Sequence, residues 1–148
     1  MTMNRVIPLL LILAATSAGA QEYMKAAWYG TKNQVIKAEG APIAEEDAAL
    51  VYEKTLWGHP FQSKYLFQLR MLSMIEFQSE SMSTDDIIDT LIEKYGRPFK
   101  TGKIKVSLFW QTIGGWLVVY SEAKTAQFRL YPQDYDPVAL HDELRTRQ

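Results

Sequence analysis

Two short segments of this chain carry the same helix-stop signal, and their spacing constrains the fold more than any other feature. In the first, Thr31 can cap free N–H groups and Gln34, three residues on, can reach back, which is a capping box. Val35, Ile36 and Ala38 come next, then Gly40 supplies a left-handed stop and Pro42 cannot continue a helix. In the second, Ser83 or Thr84 caps, and Asp85 and Asp86 sit where the helix dipole favours negative charge. Ile87, Ile88, Leu91, Ile92 and Tyr95 then fall on one stripe at helical spacing, ended by Gly96 and Pro98. Both segments finish Gly-x-Pro, and the two glycines are 56 residues apart.

The segments beyond the two helices also match. After Pro42 come Ala49–Trp57, a Gly58-His59-Pro60 break, Lys64–Leu69 and Leu72–Phe77. After Pro98 come Ile104–Gln111, a Gly114-Gly115 hairpin signal, Trp116–Ser121 and Ala126–Tyr131. Gly58 and Gly114 are again 56 apart. Each half reads helix–strand–strand–strand, and repeats on this scale signal a stacked architecture. One such unit has little core of its own. The expectation is therefore an α+β fold: tandem duplicated αβββ units, one about 28–78 and one about 83–131, forming a six-stranded antiparallel sheet with the helices on one face. Beyond Tyr131, Asp136 and Pro137 form an N-cap and first-turn pair, and Leu140 and Leu144 share a face. A short C-terminal helix is expected over about 136–147.

The first 20 residues differ physically from the rest. Arg5 is the only charged side chain before Glu22, Val6–Ala15 is almost unbroken apolar sequence, and Ala18-Gly19-Ala20 presents small residues at a leader-peptidase site. This pattern is a signal peptide, 1–20, cleaved after Ala20. The apolar run is too short to cross a hydrocarbon core of about 30 Å. The expected product is one domain, 21–148, periplasmic or secreted, without stable membrane insertion. Cysteine is absent, which excludes a disulfide framework, a thiol nucleophile and Cys-based zinc sites. A hydrophobic fraction of 47% excludes a disordered tail, and a formal charge of −1 argues against nucleic acid as a partner.

The string Gly30-Thr31, Val35, Gly40, Pro42, with a strand containing Val51-Tyr52 after it, resembles the repeat unit of the SmpA/OmlA outer-membrane assembly lipoproteins. The tandem form resembles the secreted beta-lactamase inhibitor proteins, where two such units make one concave sheet. The second unit here keeps only the helix, Gly96-x-Pro98 and the strands. Two departures stand out: Gln21 replaces the lipidated cysteine of the first group, and the disulfides of the second are missing. The resemblance implies a fold and a habit of binding proteins through a sheet face, and it implies no catalytic residues.

The polar inventory offers little chemistry. His59 and His141 are 82 positions apart, neither in ligand spacing, and read as surface residues. There is no nucleophile elbow and no phosphate-binding glycine loop. Asp134 and Asp136 alternate as calcium ligands can, but capping accounts for Asp136 and the sequence has no full loop there. No cofactor and no metal are expected. Lys94, Arg97, Lys100, Lys103 and Lys105 place five cations in 12 residues without an acid. They are candidates for contacting an anionic patch on a partner or an envelope polymer, against the reading that they complement a helix end and solvate a loop.

Aromatic residues mark the other candidate surface. If Ile104, Val106, Leu108 and Trp110 face the helices, Phe109 points away, and Trp116, Val118 and Tyr120 oppose Leu117 and Val119. In the first unit Tyr65 and Phe67 alternate with Leu66 and Gln68. Both sheet faces are therefore apolar, whereas a sheet covered on one side should be polar on the other. Either the C-terminal helix and the 21–29 segment cover the excess, or Phe109, Trp110, Trp116, Tyr120, Tyr65 and Phe67 anchor a protein partner. The leading expectation is a soluble exported non-enzymatic binding protein, acting as accessory, inhibitor or assembly factor on an envelope or extracellular protein. A small envelope enzyme and a carrier of an apolar ligand are the alternatives.

Overall fold

The computed structural model describes residues 22–101, 107–120 and 123–135. The expected signal peptide and its cleavage site, Lys103, Lys105, His141 and the C-terminal helix over 136–147 lie outside the described residues. The described chain is α+β. Helix α1 (Lys32–Glu39) precedes β1 (Ala44–Glu46), β2 (Ala49–Leu56), β3 (His59–Gln68) and β4 (Met71–Ser79); helix α2 (Thr84–Tyr95) precedes β5 (Phe99–Thr101), β6 (Ser107–Thr112), β7 (Gly115–Tyr120) and β8 (Ala126–Tyr131). All eight strands form one antiparallel sheet in the order β1-β2-β3-β4-β8-β7-β6-β5, so the two runs of four meet through their last strands.

The sheet has eight strands where six were expected. The two additions are the edge strands β1 and β5, each three residues long. A three-residue strand contains no measurable alternation, which is why periodicity misses both. Among the described residues no helix is long and apolar enough to cross a membrane.

Both helices start and stop as their sequences dictate. Thr31 with Gln34 and Ser83 with Asp86 form reciprocal capping boxes, and Gly40 and Gly96 close the helices at φ of 95° and 86°. Each cap is then tied to the sheet. Tyr52 Oη donates to Gly40 O at 2.9 Å, and Trp110 Nε1 donates to Gly96 O at 2.9 Å. The hairpin between β6 and β7 tolerates only glycine at one point: a Cβ on Gly115 would lie 2.0 Å from Tyr131 O.

One core lies between helices and sheet. Val35 of α1 and Ile87 and Leu91 of α2 meet Leu50, Phe61, Ile75, Phe77, Leu108, Leu117, Phe128 and Leu130 of the strands. The segment Glu22–Gly30 completes it. Tyr23 packs edge-on against Trp57, Phe77 and Phe128 and hydrogen-bonds to Tyr95 Oη at 2.8 Å. Trp28 Nε1 donates to Gly114 O, and Tyr29 and Gly30 pair their backbone with Leu72. This strap touches both helices and both halves of the sheet. A smaller cluster occupies the far face: Met74, Phe109, Trp116, Val118, Tyr120 and Tyr131, with Leu66, Ala123 and Tyr135 against it.

Candidate functional site

The expected division of faces is present. Leu108, Trp110, Leu117 and Val119 belong to the helix-side core, while Phe109, Trp116, Val118 and Tyr120 belong to the far-face cluster. Of the two alternatives for the aromatic residues, covered or exposed, the structure has them covered. Phe109, Trp110, Trp116, Tyr120, Tyr65 and Phe67 are all buried. Tyr65, Phe67 and Trp110 belong to the helix-side core, with Phe67 at its margin. Phe109, Trp116 and Tyr120 share the other face but offer no open surface in the folded chain. All six pack within the folded chain, as in the alternative in which other segments cover the apolar excess.

The cations divide as well. Lys94 is engaged by Glu22 at 3.2 Å, and Glu22 also accepts from Trp57 Nε1. This pairing ties α2 to the strap. Arg97 and Lys100 are exposed and make no ion pair among the described residues. His59 Nδ1 and Ser81 Oγ share a hydrogen bond of 2.9 Å.

The densest polar cluster is invisible in the sequence. Glu39, the last residue of α1, has a side chain only 2% exposed and pairs with Lys54 of β2 at 3.2 Å. Lys54 Nζ also donates to Tyr23 O at 2.7 Å and to Tyr65 Oη, and Tyr65 Oη donates to Glu39 Oε2 at 2.5 Å. Burial lowers the Lys54 pKa, partly offset by Glu39. Burial and the bond to Glu39 raise that of Tyr65. A lysine of lowered pKa beside a tyrosine is a catalytic motif in principle. Here all three ammonium protons have acceptors within the fold, so the cluster locks the strap and α1 onto the sheet. Its parts come from positions 23, 39, 54 and 65, and no local pattern joins them.

A different region presents itself outward. The β3–β4 hairpin turns through Leu69 and Arg70, closed by the Gln68–Met71 pair, with φ of 52° and 65°. Positive φ at both central residues is a type I′ geometry that favours Asn-Gly. Two bulky side chains there carry backbone strain of order 1–3 kcal/mol each. The β2–β3 hairpin, by contrast, places a glycine at its second position, Trp57-Gly58. Leu69 is 86% exposed; Met71, next after the turn, and Tyr29, whose N–H donates to Leu72 O, are exposed too. Tyr29 Oη donates to the Asp134 carboxylate at 2.5 Å, and that bond raises its pKa to about 12.

A cleft of about 570 Å³ is lined by Leu69 and Arg70 of the turn together with Phe67, Asp47, Thr31, Lys32 and Asn33. The β3–β4 turn and the start of α1 thus combine an exposed apolar tip, a cationic neighbour and a cavity. Sequence reasoning misses this end because Leu-Arg is not a turn dipeptide, and a residue becomes conspicuous there only once its φ is known. Among the described residues no cluster of three or more acidic or histidine side chains could hold a metal ion. The chain matches no protein family, no curated protein and no solved structure.

Proposed function

We propose that this chain is an exported, non-enzymatic binding protein of the cell envelope or its exterior, and that it grips a protein partner with the β3–β4 end. The observation that carries the reading is Leu69: an apolar side chain 86% exposed on a turn whose backbone disfavours it. A sequence free to optimise stability would place Asn-Gly there, and strain held at an exposed tip is a mark of function. Export rests on the leader pattern of residues 1–20. The duplication reading, and with it the likeness to the SmpA/OmlA and beta-lactamase inhibitor groups, rests on the landmarks 56 residues apart and on the order helix-then-four-strands occurring twice. Tyr23, Met24 and Ala26 fill the space between helices and sheet, which favours surface binding over carriage of an apolar ligand there.

The test compares two baits, the native chain and a Leu69→Asn/Arg70→Gly variant, exposed to envelope extract. The expected result is a partner retained by the native bait and lost from the variant, although the variant unfolds at higher denaturant. Identical retention by both baits overturns the assignment of this end.

A further inference from the structure

The two edges of the sheet carry opposite charge and run in opposite directions. β1 reads Ala44-Glu45-Glu46, with Asp47 next in the chain; its three residues are exposed. β5 reads Phe99-Lys100-Thr101, with Arg97 two residues before it. Every neighbouring pair in the sheet is antiparallel, so eight alternating strands leave β1 and β5 antiparallel to each other. A second copy brought edge to edge in the same orientation therefore continues the antiparallel ladder and keeps its helices on the same side.

The register is equally specific. Glu45 pairs with Leu50 and Lys100 pairs with Leu108, both helix-side core residues, and directly opposed residues share a face. Each is the middle residue of its strand. Centred pairing sets Glu45 against Lys100 of the neighbouring copy on the helix side, with Ala44 against Thr101 and Glu46 against Phe99. Lys100 has no ion-pair partner among the described residues, and Phe99 is 62% exposed. Glu45 and Glu46 contact Lys32 at 3.6 Å and Lys64 at 3.1 Å, yet their side chains remain 57% and 55% exposed.

We infer that the chain associates with further copies of itself, head to tail, through β1 of one copy and β5 of the next. Short charged edges normally guard against such pairing. That guard depends on like charges meeting. Two β1 edges or two β5 edges repel, whereas β1 with β5 attracts, so the charges select the heterologous contact. A heterologous contact generates a growing series rather than a closed dimer unless its rotation closes a ring.

Sedimentation velocity of the purified chain across a concentration series, in about 50 mM and about 500 mM salt, tests this. Expected is concentration-dependent growth past the dimer in low salt, weakened in high salt. Glu45→Lys and Lys100→Glu each lower the association constant about fivefold or more, with unchanged unfolding midpoints because both positions are exposed. Mixing the two variants, or combining both changes in one chain, restores association, since every interface again joins a lysine to a glutamate. A monomer at every concentration in low salt overturns the inference. So does a dimer that does not grow, or association that Glu45→Lys leaves intact. If instead a monomeric chain takes up an acidic peptide at β5, the occupant is a partner and the self-association is wrong.

Discussion

The far face of the sheet is two surfaces in one. In the first half, Glu53, Thr55 and Gln62 of β2 and β3 stand in solvent, and Glu76 and Gln78 of β4 are half-buried. In the second, Phe109, Trp116, Val118 and Tyr120 of β6 and β7 are closed off. Both halves have the same element order and share a single core on the helix side. The helix side is therefore fixed by architecture, because any residue there must fill the gap between layers. The far face is where two halves of the same topology can diverge. The helix ends differ too: α1 finishes on Glu39, held by the half-buried Lys54, and α2 finishes on Tyr95, held by Tyr23.

Truncation of the closed surface tests this contrast most severely. Phe109→Ala is expected to cost about 3–5 kcal/mol in urea unfolding, the usual range for deleting a buried ring. A loss under about 1 kcal/mol would show the second half to be as solvated as the first. At the first helix end, Glu39→Gln leaves the half-buried Lys54 without its carboxylate; about 3 kcal/mol is expected. Adding Lys54→Met should recover much of that loss, and failure to recover it would mean Glu39 acts through Tyr65 instead.

Tyrosine titration gives the next effect. Burial raises the pKa of Tyr23 and Tyr65 above the ordinary 10.0, so the folded chain keeps protons that the unfolded chain releases. Their contribution is complete below pH 10 and declines above it, by up to about 1.4 kcal/mol per pH unit for each tyrosine. Lys54 acts in the opposite sense at lower pH, since its lowered pKa makes stability rise with pH towards its ordinary value of 10.5. Urea melts between about pH 8 and 11 on the native chain and on Tyr65→Phe check this; the variant should decline less steeply.

At the β3–β4 tip, Leu69→Asn/Arg70→Gly should gain about 1 kcal/mol by relieving strain. A loss of stability would remove the strain from the account of this end. Smallest of all, Gln62→Ala on the open half of the far face should stay within about 0.5 kcal/mol.

Much of the fold is legible because its signals are local. Thr31 with Gln34 announces one helix and Asp85-Asp86 the other, and the apolar run that marks β8 has the strand's observed bounds, Ala126–Tyr131. Alternation places Trp110 and Phe109 on opposite faces correctly. For β3 the sequence pattern starts too late, at Lys64, because Pro60 looks like a break. The strand begins at His59, and its pairing with β4 starts only at Gln62, so Pro60 meets no ladder on that side. Exposure is illegible for a different reason: whether Phe109 is covered depends on chain far away in sequence. The same holds for Lys54, whose partners lie at 23, 39 and 65.

The strap has a consequence for the order of assembly. Tyr23 lodges against Phe128 of β8, and Trp28 is held by Gly114 of the β6–β7 turn. β4 pairs with β8 although their paired residues lie 47 to 55 positions apart in the chain. Residues synthesised early thus have their seats built from residues synthesised late, and neither half can complete its shared edge alone. Contacts of such sequence separation slow folding. The shared core is therefore completed only once β8 has been made, whatever the first half forms before then.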